Sequence, residues 1–209
     1  MLAIRMIPNV DAALAAQFNL KPGQRSLGLI TTTIDDVGYT ALDEATKRAE
    51  VEVVYARSFY AGAACASGPL SGEFMGILAG PNPDEVMSGI EAAENTIQYD
   101  AHFESLNEDG THALYAHVVA RTGSYLSKTA GIREGEPLAY LIAPPLEAMY
   151  GLDAALKAAD VELVSFYGPP SETNFGGGLL TGTQSACRAA AEAFRDSIIE
   201  IARNPLPWP

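Results

Sequence analysis

Ala41-Leu42-Asp43-Glu44-Ala45-Thr46-Lys47-Arg48-Ala49-Glu50-Val51-Glu52-Val53-Val54 returns later in the chain as Gly151-Leu152-Asp153-Ala154-Ala155-Leu156-Lys157-Ala158-Ala159-Asp160-Val161-Glu162-Leu163-Val164. The two stretches align without a gap at an offset of 110 (153 − 43), and eight of the fourteen pairs are identical, including Asp43/Asp153, Lys47/Lys157 and Glu52/Glu162. Such a match marks an internal duplication, and a unit of this length is a domain rather than a solenoid repeat of roughly 20–50 residues. Each copy reads as a helix running into a strand. Leu42, Ala45 and Ala49 follow the apolar stripe of an amphipathic helix. Asp43 and Lys47 make an i, i+4 acid–base pair in the favourable order. The β-branched run Val51-Glu52-Val53-Val54-Tyr55 suits a sheet.

Working outward, the 209 residues divide best into two domains of about 100 residues, 1–108 and 109–209, separated at the polar turn Asn107-Glu108-Asp109-Gly110. With 48% hydrophobic and 19% charged residues the chain is an ordinary globular one. A net charge of −13 argues against a nucleic-acid partner and suits a surface that attracts small cations. No apolar run approaches the roughly 18 residues of a membrane span, and no signal-peptide core is evident, so a cytosolic protein without a membrane partner is expected. Cys65 and Cys187 lack metal-type spacing and read as free thiols.

Before the first copy, Leu2–Ile7 reads as a strand, Asn9 or Asp11 caps a short helix reaching Leu20, and Ser26–Thr33 is an apolar strand. Asp35-Asp36 then falls in the connection to the duplicated helix. After it come a loop rich in small residues (Ser58–Ser71), a strand over Gly72–Gly80, and a helix that Pro81-Asn82-Pro83-Asp84-Glu85 starts and that runs to about Gln98. The second half repeats the order: strand Ala113–Ala120, short helix Ser124–Thr129, strand Pro137–Ala143, duplicated helix and strand, a loop Gly168–Gly178, strand Leu179–Thr181 and a closing helix Gln184–Ala202. Pro144-Pro145-Leu146-Glu147 stands where Asp35-Asp36 stands in the first half. Two α+β domains with antiparallel-rich sheets and helices to one side fit this pattern.

Few residues suggest chemistry. Phe175-Gly176-Gly177-Gly178 leads into a strand and lacks the Lys-Ser/Thr pair of a phosphate loop. His102, His112 and His117 lack metal-ligand spacing, so no metal is expected. Asp35, Asp36 and Glu73 are carboxylates beside apolar strands, where solvated loop acids are the plain reading. No nucleophile context or catalytic centre assembles, and neither enzymatic activity nor a cofactor is expected.

The residues resemble a known family. Leu27-Gly28-Leu29-Ile30, Asp43…Lys47-x-Ala49, the Val-Glu-Val/Leu-Val strand and Phe175-Gly176-Gly177-Gly178-Leu179 together are similar to the bacterial microcompartment shell domain. Two such domains in one chain, each starting with a moved strand and helix, look like its tandem, circularly permuted form, related to the ferredoxin-like fold. Arg57-Ser58-Phe59-Tyr60, Gly80-Pro81-Asn82-Pro83, Arg121-Thr122-Gly123-Ser124, Pro170-Ser171-Glu172-Thr173-Asn174 and Ala202-Arg203-Asn204-Pro205 resemble its ethanolamine-utilisation branch.

The resemblance implies a homotrimer that forms a pseudohexagonal tile. Tiles pack edge to edge with other shell proteins around ethanolamine-degrading enzymes in the cytoplasm. It implies tile-edge contacts at Lys47 and Lys157. It also implies a gated central pore bordered by Tyr60, Gly62, Ser67, Gly68, Asn174, Phe175, Gly176, Gly177 and Gly178. Finally, it implies a small pore in each subunit where Asp35, Asp36, Glu73 and Phe103 hold ethanolamine, absent from the second domain because Pro145-Leu146 replaces the acid pair. A soluble ligand-sensing regulator built of duplicated ferredoxin-like domains is the alternative.

Overall fold

The duplication carries through to the backbone of the computed structural model, which describes residues 1–60, 67–169 and 171–206. The first half runs β1 (Ala3–Ile7), α1 (Ala12–Gln17), β2 (Ser26–Thr32), α2 (Asp35–Arg48), β3 (Glu52–Ser58), β4 (Phe74–Gly80) and α3 (Pro83–Tyr99). The second runs β5 (Glu104–Ser105), β6 (Ala113–Val119), α4 (Ser124–Ala130), β7 (Leu138–Ala143), α5 (Pro145–Ala158), β8 (Val161–Tyr167), β9 (Gly176–Gly182) and α6 (Gln184–Arg203). The helices α2 and α5 are offset by 110 at both ends (145 − 35 and 158 − 48). The register shift at Val53/Tyr55 recurs at Leu163/Ser165, again 110 residues on. Strands β4 and β9 are offset by 102, so the first unit's preceding loop is longer by eight residues (110 − 102).

In the first unit the sheet order is β1-β2-β4-β3, antiparallel throughout. Ala41, Leu42 and Ala45 of α2 meet Val86, Ile90 and Ala93 of α3 over Ile30, Phe74 and Leu78 of the sheet, which places both helices on one face. The other face carries Leu27, Ile77 and Ala79, covered by Val10, Phe18 and Leu20 from around α1. In the second unit the order is β5-β6-β7-β9-β8, and Leu152 and Ala155 of α5 pack with Ala190, Phe194 and Ile198 of α6 over Leu141 and Leu180. Burial of these apolar side chains is the main driving force for each unit, at about 25 cal/mol per Å².

Several local readings change. The contact units are Met1–Ala101 with Gly123–Leu126, and His102–Thr122 with Ser127–Pro209. The first therefore ends before the turn at Asn107–Gly110, because Glu104 and Ser105 pair with Leu114 and Ala113 and so join the second sheet. Asp35 and Asp36 are not in a connection: they form the first turn of α2, where carboxylates favour the positive end of the helix dipole. The three glycines Gly176–Gly178 are not loop residues. They begin β9, buried and paired with Ala143, Ile142 and Leu141. At Gly177, φ is +153° and a Cβ would lie 1.9 Å from the Leu141 carbonyl oxygen, so only glycine lets the strands approach there.

Candidate functional site

The acids of the first unit are set by three neighbouring chain segments. Asp35 and Asp36 open α2, and both are buried, at 7% and 6% exposure, so they are not solvated loop acids. Asp35 Oδ1 accepts the Asp36 N–H at 3.0 Å, which supplies a cap that Ile34 cannot. Glu73 lies one residue before β4 and is fixed by its backbone: its N–H donates to the Thr32 carbonyl, and its carbonyl accepts from Phe59 N–H, each at 3.0 Å. It is thereby clamped between the ends of β2 and β3. Burial, and then the charge of Asp35, push the Glu73 carboxyl above its ordinary value.

One helical turn beyond Asp35, Tyr39 completes the cluster. Its hydroxyl is 2.6 Å from Ser58 Oγ at the end of β3. Burial raises its phenol, and the charges of Asp35 and Asp36 add to that, against the opposing hydrogen bond from Ser58. The ring is held edge-on by Phe74 at 4.7 Å and stacked with Tyr125 at 6.1 Å. Gly38 makes room for Phe74, whose Cδ1 is 2.4 Å from where a Cβ would be. Sequence reasoning missed Tyr39 and Ser58, although the i, i+4 spacing of Asp35 and Tyr39 on one helix face was a usable signal. The charge of Asp35 acts on both Glu73 and Tyr39, and that of Asp36 on Tyr39; among the described residues no group of three or more His, Cys, Asp or Glu side chains is placed to hold a metal ion.

Phe103 belongs to the second unit, where it stacks on Tyr115 at 5.2 Å and meets Phe175 edge-on at 5.7 Å. His117 stacks on the same Tyr115 at 5.5 Å, and His112 Nε2 is 3.0 Å from Glu147. At the acid positions the second unit carries Pro145 and Leu146 in the first turn of α5, with Leu146 67% exposed.

The expected gate residues fall into three groups. Gly62 lies outside the described residues, as does Cys65. Tyr60 is exposed, and Ser67 and Gly68 lead into a turn closed by Ser71 N–H and Oγ–H on the Gly68 carbonyl. Asn174, at φ +67°, and Phe175 belong to a turn closed by Ser171 N–H on the Phe175 carbonyl and Asn174 N–H on the Ser171 carbonyl.

The two lysines differ. The Lys157 side chain is 73% exposed and pairs with Asp153 at 2.6 Å. That of Lys47 is 21% exposed and held by Glu44, with Asp43 3.8 Å away. The simple Asp43–Lys47 helix pair is thus only a minor contact: Asp43 is fully buried and accepts the backbone N–H groups of Gly123 and Leu126.

A family model described as the BMC domain matches residues 26–106. The chain is 62% identical over 205 residues to the bacterial microcompartment shell protein EutL of Clostridium perfringens (strain 13 / Type A), covering 98% of this chain and 94% of that protein. It is 56% identical over 204 residues to EutL of Escherichia coli (strain K12), covering 98% and 93%. Among solved structures, the ethanolamine utilization protein EutL from Leptotrichia buccalis superposes with a TM-score of 0.95 at 62% identity, covering 99% of this chain and 95% of that one. EtuB from Clostridium kluyveri, at 23% identity and a TM-score of 0.80 over 97% and 88% of the two chains, shares the fold. With identity this high over nearly its whole length, the chain belongs to the EutL family of bacterial microcompartment shell proteins.

Proposed function

We propose that this shell protein works as a homotrimeric, pseudohexagonal tile around ethanolamine-degrading enzymes in the bacterial cytoplasm. Its central pore is gated by the loops between β3 and β4 and between β8 and β9. A small acid-lined site in each first unit takes ethanolamine. The similarity to EutL proteins over nearly the full chain favours the tile and finds no support for a ligand-sensing regulator. Nothing in the role requires catalysis.

The ethanolamine reading rests on one observation: buried Asp35 and Asp36 stand with Glu73, whose carboxyl is raised partly by Asp35. An ammonium group placed there relieves the like-charge repulsion and gives charge-assisted hydrogen bonds. Calorimetry with ethanolamine on the unaltered chain and on the Asp35→Asn/Glu73→Gln variant tests it. Binding lost in the variant supports the site; equal heats remove these residues from it.

A further inference from the structure

The duplication separates what the fold needs from what the site needs. Offsets of 110 for α2 and β3 and of 102 for β4 pair each residue of the acid cluster with one in the second unit. Asp35 and Asp36 become Pro145 and Leu146. Glu73, one residue before β4, becomes Phe175, one residue before β9. The hydroxyl pair changes with the acids: Tyr39 becomes Met149 and Ser58 becomes Gly168. The polar groups are lost together.

The fold does not require the two hydroxyls. Met149 packs on the core of the second unit as Tyr39 packs on that of the first, so an apolar body is kept and the hydroxyl is gone. Strands β3 and β8 carry the same register shift and lie beside β4 and β9 in the same way. A Tyr39–Ser58 bond that served only to tie α2 to β3 would have a counterpart in the second unit, and Met149 with Gly168 can form none.

The pair lies beside the acids. Tyr39 follows Asp35 by one turn of α2. Ser58 is opposite Phe74 in the sheet, and the next residue, Phe59, donates its N–H to the Glu73 carbonyl at 3.0 Å. The pair thus has Asp35 on its own helix and Glu73 at the end of the neighbouring strand.

What the hydroxyls can bond differs from what the acids can. An ionised carboxylate only accepts hydrogen bonds, so it serves an ammonium but cannot donate to the oxygen of an alcohol. Two hydroxyls hold two O–H groups, and the 2.6 Å bond between Tyr39 and Ser58 uses one. Burial, and then the charges of Asp35 and Asp36, raise the phenol, so Tyr39 keeps its proton at neutral pH. One O–H is left to donate, with lone pairs to accept.

We infer that the Tyr39–Ser58 pair bonds the hydroxyl end of a ligand whose ammonium the acids hold, so that the site selects an amino alcohol over an alkylamine of the same size. The inference rests on the ethanolamine reading above and names the residues that make that site selective.

Calorimetry with ethanolamine and with propylamine, which has a methyl group in place of the hydroxyl, tests it. The unaltered chain is expected to bind ethanolamine at least about fivefold more tightly than propylamine. Tyr39→Phe keeps the ring that meets Phe74 and Tyr125, and it is expected to bring the two affinities within about twofold of each other, with propylamine bound as before. Ser58→Ala, at a position where the second unit has a glycine, is expected to narrow the gap as well. A preference that survives both variants, or an unaltered chain that binds the two amines alike, overturns the inference. So does a Tyr39→Phe variant that loses both amines equally, because the hydroxyl then shapes the site without reading the ligand. An unaltered chain that binds neither amine sinks the ethanolamine reading itself, and this inference with it.

Discussion

The carboxylate of Asp43, on the duplicated helix, accepts the main-chain N–H of Leu126 at 2.8 Å, joining residues 83 apart in the sequence. Burial pushes the Asp43 carboxyl above its ordinary value, while the N–H groups of Gly123 and Leu126 pull it back. Two buried donors depend on this one side chain. Asp43→Ala is therefore expected to cost about 2–4 kcal/mol, since each stranded N–H carries a desolvation penalty. Asp43→Asn keeps one acceptor oxygen and buries no charge, so it should lose less. Denaturant unfolding of the two variants measures the order, and an Ala variant as stable as the Asn variant contradicts it.

Glu73 gives a pH-dependent expectation. Its folded carboxyl is raised above 4.5 by burial and Asp35. For a raised acid the folded state binds more protons, so this group's contribution falls as pH rises from the unfolded value through the folded one. Glu73→Gln should melt higher than the unaltered chain at neutral pH, with the gap closing below about pH 4. A gap that is constant with pH excludes the electrostatic cause.

At Gly177, alanine must meet the Leu141 carbonyl at an impossible distance and adopt φ +153°. Gly177→Ala is expected to destabilise the chain by roughly 2–4 kcal/mol through strain and forced separation of β7 and β9. At Gly68, where nothing lies within 4 Å of a Cβ, alanine should be nearly neutral. Thermal melts of the pair check the contrast.

The lysines separate assembly from folding. Lys157→Asp removes an exposed ion pair and should change stability by less than about 0.5 kcal/mol. Replacing both Lys47 and Lys157 with Asp should abolish hexagonal sheets in negative-stain images while leaving the trimer. Sheets that persist remove both residues from the tile edge.

For the proposed gate, the Ser67→Cys variant is expected to form disulfides between copies of the chain. Oxidised shells are expected to exclude large solutes that reduced shells admit. Permeability that does not respond to oxidation removes the loops from the gate.

Read alone, the sequence determined the duplication, its offset, the order of strands and helices in each half, and the family resemblance. These follow from local periodicity and from identity between two stretches of one chain, which need no knowledge of distant contacts. It also offered Asn9 or Asp11 as the cap of the first short helix, of which Asp11 serves, because a cap is a short-range hydrogen bond. Tertiary structure alone decided that Asp35 and Asp36 are buried, since Glu73, on which the charge of Asp35 acts, comes from a segment 38 residues away (73 − 35). It alone turned Gly176–Gly178 into a strand, because the pairing partners lie on β7 and the close approach at Gly177 is set by Leu141. It also parted two identical aspartates: Asp43 is buried because the chain returns at Gly123–Leu126, whereas the side chain of Asp153 is 61% exposed. Residue identity fixes what a side chain can bond, but burial depends on which distant backbone arrives beside it.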